Sequence, residues 1–255
     1  VIYGLDFPGI GEVLVWPDFN NNVIGFNKIA LSNLIAMVLT VGIFIIAGSK
    51  RKMVPAGIQN FVEASVDFVR VGVAEETMGK AGRKWVPFLC TMFFFIFFNN
   101  ISGIIPVFQM PATARIALPL VLALTTYVAF NVAGIIKQGP LHYLGANLFP
   151  PGVPKVLYVL ITPIELISTF LVRPFSLAVR LFANMLAGHL MLVTFAVLAD
   201  ALFNSSALAL KPLSVLPFAM LVIMTGFEVL VSFLQAYIFT ILTGVYIAGA
   251  VSDHH

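Results

Sequence analysis

Five stretches of this sequence, at roughly 26–48, 85–105, 117–136, 156–199 and 213–250, stay apolar for about twenty residues or more, and that leaves few folds open. About 20 apolar residues is the length of an α-helix crossing the hydrocarbon core of a bilayer. Lipid offers no partners to backbone N–H and C=O groups, so a spanning segment is either a helix or a strand of a closed barrel. Barrel strands read as alternating segments of about ten residues, whereas these runs are unbroken. With 60% hydrophobic and 10% charged residues among 255, the chain carries more apolar surface than one soluble core of this length can bury. The expected fold is an all-α integral membrane protein with five transmembrane helices, forming a single membrane domain over 1–255. Cys90, the one cysteine, lies inside an apolar run, which excludes an intrachain disulfide or a cysteine metal cluster within this sequence. A formal charge of +3, scattered along the chain and without a Gly-rich phosphate loop, points away from nucleic acid as a partner.

Between the first and second spans Glu63, Asp67 and Arg70 recur at helical spacing among Val, Phe and Ile. This predicts one amphipathic helix over 55–80, lying on the membrane surface. Orientation follows from the basic residues. Lys50, Arg51, Lys52, Arg70, Lys80, Arg83, Lys84, Lys137 and Lys155 fall on one side of this topology, and Lys28, Arg115 and Lys211 on the other. By the positive-inside rule the first group is cytoplasmic, which puts the N-terminus outside and the C-terminal SDHH inside. The first residues lack a basic region followed by an apolar one, so no cleavable signal is expected.

The fourth run is too long for one crossing, since a continuous helix over 156–199 would measure roughly 65 Å. Tilting or breaking is required, and Pro163 and Pro174 are the natural kink sites. The last two helices are therefore expected to form a long tilted hairpin. At 100° per residue Arg173, Ser176, Arg180, Asn184 and Ala187 share one stripe of the fourth helix, and His189 lies on the opposite face. Glu228, Ser232, Gln235 and Tyr246 form a second polar stripe on the last helix. In an antiparallel hairpin, residues at equal depth share one sum of residue numbers. The pairs Arg180–Gln235, Asn184–Ser232 and His189–Glu228 have nearly equal sums, implying a fold point near 208, inside the turn NSSALALKP.

An arginine at mid-membrane costs about 2.5 to 3.5 kcal/mol on insertion scales and needs a partner. The nearby stripe offers amides and hydroxyls, and Glu228 lies about two turns from the arginine's level, so a carboxylate on another subunit is the simplest supplement. Arginine does not deprotonate in practice, so it blocks proton passage rather than relaying it, and it favours the ionised form of a facing carboxylate. His189 and Glu228 are titratable and can relay protons, with Asn184, Ser232 and Gln235 holding water between them.

The segments RLFANMLAGH and EVLVSFLQAYIFTILTGVY resemble the a subunit of F-type rotary ATP synthases. The resemblance is strongest over 162–250. NNISGIIP is also similar to the family's third-helix signature, at Asn100, Gly103 and Pro106. The resemblance implies that Arg180 is the essential arginine facing the carboxylates of the rotating c-ring subunits. It assigns Asn184, His189, Glu228 and Gln235 to the outer half-channel, and places Ser176 and Arg173 nearby on the ring-facing helix. It implies contacts with the b subunits of a peripheral stalk and with the bilayer. No cofactor or metal is expected, and ATP chemistry belongs to a different sector, so the chain itself is not an enzyme. Two departures stand out. Some branches carry the acid in the AGH motif and the histidine on the last helix, the reverse of His189 and Glu228. Some bacterial members have an aspartate at the level of Gly103. Further candidate lining residues are Glu165, Asn100, Asp200 and Tyr246. Asp200 stands at the outer mouth, where a solvated helix end is the plainer reading.

Two other readings remain open at this stage. A secondary transporter with a midplane substrate site would show paired halves with matching interrupted helices, which the sequence lacks. A membrane assembly subunit would use the polar stripes as interhelical glue.

Overall fold

The computed structural model describes residues 27–49, 57–105, 111–148, 157–205 and 208–251. The N-terminal segment, Lys50, Arg51, Lys52, Pro106, Lys155 and the terminal SDHH lie outside them. Among the described residues there is no strand, and five helical runs are long and apolar enough to cross a membrane. The chain is an all-α integral membrane protein.

Helix α1 (Lys28–Ser49) starts where Asn27 Oδ1 accepts the N–H groups of Ile29 and Ala30 at 3.1 and 3.0 Å, a side-chain cap for otherwise orphaned donors. Helix α2 (Ile58–Val69) begins the segment expected to be amphipathic, with Val62, Val69 and Val73 buried and Glu63, Asp67 and Arg70 exposed. It does not stop near residue 80. It continues through a π-helical stretch (Arg70–Glu75), a short α-turn (Glu76–Met78) and a 3-10 turn (Gly79–Trp85) into α3 (Val86–Ile101). Gly79, at φ +59°, permits the change of direction, and the Phe68 ring comes to lie 6.0 Å from that of Phe93. The boundary expected between surface helix and span is thus a change of helix type without a gap.

Helix α4 (Ala117–Gln138) is followed at Gly139 (φ +79°) by α5 (Pro140–Leu148). The fourth run holds α6 (Tyr158–Ile167), a π-helical stretch (Ser168–Val172) and α7 (Arg173–Phe203). Pro163 sits inside α6 without ending it. The irregularity lies just before Pro174, whose missing N–H leaves a carbonyl of the preceding turn without its usual donor, and the π-type stretch accommodates this. A 3-10 turn (Leu208–Ser214) leads into α8 (Val215–Val251), the longest helix among the described residues.

The described residues group into two compact units. One takes in 27–40, 95–105, 111–115, 182–205 and 208–235, and the other 41–49, 57–94, 116–148, 157–181 and 236–251. In the first, Ser32 Oγ donates to Ser102 Oγ (2.8 Å), which donates to the Asn99 carbonyl (2.7 Å), joining α1 to the end of α3. In the second, Phe130, Ala133, Tyr143, Ile247 and Ala250 form a core, with Trp85, Phe88, Tyr127 and Tyr246 packed against it. The hydroxyls of Thr126 and Thr243 meet at 3.2 Å, and Gln138 Nε2 donates to the Ala250 carbonyl at 3.1 Å.

Gly134 faces the ring of Tyr143 so closely that a Cβ would run into it, and that ring is buried with its hydroxyl donating to Asn131 Oδ1 at 3.2 Å. Overpacking of this kind costs about 1 to 3 kcal/mol. Gly134→Ala is expected to lower the amount of assembled complex and its thermal midpoint in native gels. Gly42→Ala, where a Cβ meets nothing within 4 Å, is the control that should leave both unchanged.

Candidate functional site

Burial separates two faces of α7. Leu177, Ala178, Leu181, Met185 and His189 are buried at successive turns, with His189 only 5% exposed. Ser176 and Arg180 are half-buried, and Asn184 and Ala187 are exposed, on the other side of the helix. Along this one helix the positions in line with His189 are the more buried, and those in line with Arg180 the less. Among the described residues Arg180 has no ion pair or hydrogen bond. Small residues such as Ala183 and Ala187 beside it suit close approach of another helix in lipid.

In the first unit α7 and α8 run antiparallel. Asn184 Nδ2 donates to Gln235 Oε1 at 2.8 Å. Glu228, 3% exposed, lies against Gly188, where a Cβ would come within 3.2 Å of its Oε1. Both contacts fall within one turn of the register drawn from the sequence, but the partners differ: Glu228, set opposite His189, lies against the adjacent Gly188. That register sets Asn184 opposite Ser232, and Gln235, three positions further, takes the bond instead. Glu228, Ser232 and Gln235 share one face of α8 and are all buried. Neither Glu228 carboxyl oxygen, nor Ser232 Oγ, nor Gln235 Nε2 has a hydrogen-bond partner among the described residues. Buried polar atoms are nearly always satisfied, so a row of four such atoms calls for ordered water or a partner outside the chain.

Asn100 completes the row. Its Oδ1 accepts from Thr113 Oγ1 at 2.6 Å, and its Nδ2 lies 3.5 Å from the Ser232 carbonyl. Asn99 is buried with Oδ1 unpartnered. Gly103 packs on Pro111, which a Cβ would approach to 2.5 Å. Asp200 is exposed at the end of α7, accepts from Asn204 Nδ2 at 2.9 Å and lines a cavity of about 530 Å³ with Phe203 and Phe218.

In the second unit the guanidinium of Arg173 lies 5.6 Å from the centroid of the Tyr246 ring, a cation–π contact, and Tyr246 also packs near Phe130 at 6.0 Å. The sequence placed Tyr246 in the Glu228 stripe; the structure gives it to Arg173. Glu165 is half-buried on α6. No cluster of three or more His, Cys, Asp or Glu side chains is gathered among the described residues. Two residues of the site were missed in the sequence. Gly188 stood in plain view within the AGH motif, and its role as room for a carboxyl shows only once α8 is beside it. Thr113 gives no sequence signal, because chain folding alone brings it to Asn100.

The family model for the ATP synthase A chain matches residues 30–248. The chain belongs to the ATP synthase subunit a family. ATP synthase subunit a of Rhodococcus erythropolis is 43% identical over 90% of this chain and 84% of its own length. That of Parafrankia sp. is 40% identical over 97% and 84%, and that of Streptomyces lividans 41% identical over 99% and 90%. Membership makes this a membrane subunit of an ATP synthase, acting in proton transport and ATP synthesis. As a subunit a, it has at Gly103 no room for the aspartate found at that level in some bacterial members, unless Pro111 moves.

Proposed function

We propose that this chain is the stator of the synthase's membrane motor, offering protons two offset half-channels separated by Arg180. Protons enter from outside past Glu228 and His189, neutralise a carboxylate on a ring subunit, and leave to the cytoplasm once the ring has turned. The b subunits of the peripheral stalk hold the chain still. The N-terminus faces outward and the C-terminus inward. A membrane potential of 100 mV supplies about 2.3 kcal/mol per proton.

One observation carries this reading: along α7 Arg180 is half-buried without an ion pair or hydrogen bond among the described residues while His189 is buried, and α8 carries a row of buried polar atoms without hydrogen-bond partners among them. A half-buried cation among small residues suits a moving neighbour that bears carboxylates. Buried orphan polar atoms suit a chain of water molecules leading to it.

Cross-linking tests the face directly. In a complex with Cys90 replaced by serine, Ala187→Cys is expected to form a disulfide on oxidation with a cysteine placed beside the carboxylate of a ring subunit, whereas Met185→Cys, on the buried face, should not. Labelling of Ala187→Cys by a lipid-soluble maleimide, with no ring product, would place this face against lipid and sink the reading.

A further inference from the structure

Three helix ends meet on one side of the second unit: the start of α3, the last turn of α4 and the end of α8. Between them lies a cavity of about 750 Å³ lined by Lys84, Trp85, Lys137, Thr77, Val245 and Gly249. Both lysines are exposed. The neighbouring cation Arg83 has its Nε 3.0 Å from Glu75 Oε1. Trp85 is also part of the wall of a second cavity, of about 620 Å³, that follows α4 past Val121, Leu124, Val128 and Val132. Those four side chains are exposed apolar groups, so Trp85 stands between the lysine-lined cavity and an apolar groove along a membrane-spanning helix.

We propose that these two neighbouring cavities, which share Trp85, form a binding site for one anionic phospholipid, its phosphate held by Lys84 and Lys137 and an acyl chain lying along α4. Charge and position both favour this occupant. Two ammonium groups in one cavity suit a phosphate as point charges. The cavity lies at helix ends, on the side where Lys80, Arg83, Lys84 and Lys137 collect, and basic pockets between helix ends are where acidic headgroups bind. Trp85 stands where an indole belongs, at the boundary between polar headgroup and hydrocarbon. A soluble phosphate compound would use the lysines and leave the groove along α4 unfilled. The site lies apart from Arg180 and Glu228 in the sequence and uses neither.

The experiment uses the whole ATP synthase reconstituted in phosphatidylcholine vesicles containing a small fraction of photoactivatable phosphatidylglycerol, or the matching phosphatidylcholine probe, with labelled peptides identified by mass spectrometry. The expected result is labelling of the 121–132 segment by the anionic probe, about tenfold above the zwitterionic one. Lys84→Gln with Lys137→Gln should reduce anionic labelling to the zwitterionic level, and the paired Lys→Arg changes should restore it. Val128→Trp, which fills the groove and leaves the lysines alone, should also remove it. Only fully assembled complexes are compared, so a folding defect cannot mimic loss of the site. Equal labelling by the two probes, labelling unchanged in the double glutamine variant, or no labelling because a neighbouring subunit covers α4 would each overturn the proposal. Displacement of the probe by soluble glycerol phosphate would mark a headgroup-only site and overturn the lipid assignment.

Discussion

Inverted membrane vesicles carrying Arg180→Ala are expected to hydrolyse ATP and build no proton gradient. The arginine is half-buried on α7 and has no ion pair or hydrogen bond among the described residues, so its charge is not tied up in holding the chain together. A guanidinium in lipid without a partner costs about 2.5 to 3.5 kcal/mol or more, which makes a purely structural role for an unpaired one expensive. In the proposed function its positive charge is the fixed barrier between the two half-channels. On that proposal, removing the barrier would let protons pass from one path to the other without turning the ring. A tight barrier sustains a proton ratio of about 50 at 100 mV, and without it that ratio should collapse towards one, so that dye quenching falls to background. Assembly, followed by native gels, should survive. Normal quenching in this variant would remove the assignment of Arg180 as the gate.

Glu228→Gln is expected to leave the complex assembled and slow ATP-driven acidification by about 100-fold, the lower range of what a positioned acid–base group contributes. Glutamine keeps the shape that fits against Gly188 and differs mainly in being unable to take up or release a proton. The carboxyl oxygens of Glu228 have no hydrogen-bond partner among the described residues, so the exchange breaks no contact that holds α7 to α8. His189, on the opposing helix, and any water along the Ser232–Gln235 row would carry what flow remains. A variant that pumps at the normal rate across a broad pH range would reduce Glu228 to a packing residue. A variant lost from the membrane would show the same, by another route.

Much of the architecture was legible because helical periodicity is local. The apolar runs gave five crossings, and 3.6 residues per turn was enough to put Arg180 and His189 on opposite faces of one helix, which burial then matched. The hairpin register came out within a turn, because Glu228 and Gly188 meet near the depth at which the residue numbers set Glu228 and His189. Side-chain partners were less legible. The turn between α7 and α8 mixes 3-10 and irregular backbone, and an uncertainty of a few residues there moves Asn184 from Ser232 to Gln235 without changing any face. Proline position predicted a break in the fourth helix but not its form. The chain tolerates Pro163 within α6 and gathers the irregularity into the π-helical stretch before Pro174.

By itself, then, the sequence determined that this chain lives in a membrane as helices and which side chains share each helical face, since both depend on neighbours a few residues apart. Only the tertiary structure decided that Gly188 leaves room for Glu228, that Thr113 orients Asn100, that Tyr246 belongs with Arg173, and that Lys84, Trp85 and Lys137 line one cavity. Those pairings depend on which surfaces distant segments press together, and no periodicity within a single helix records them.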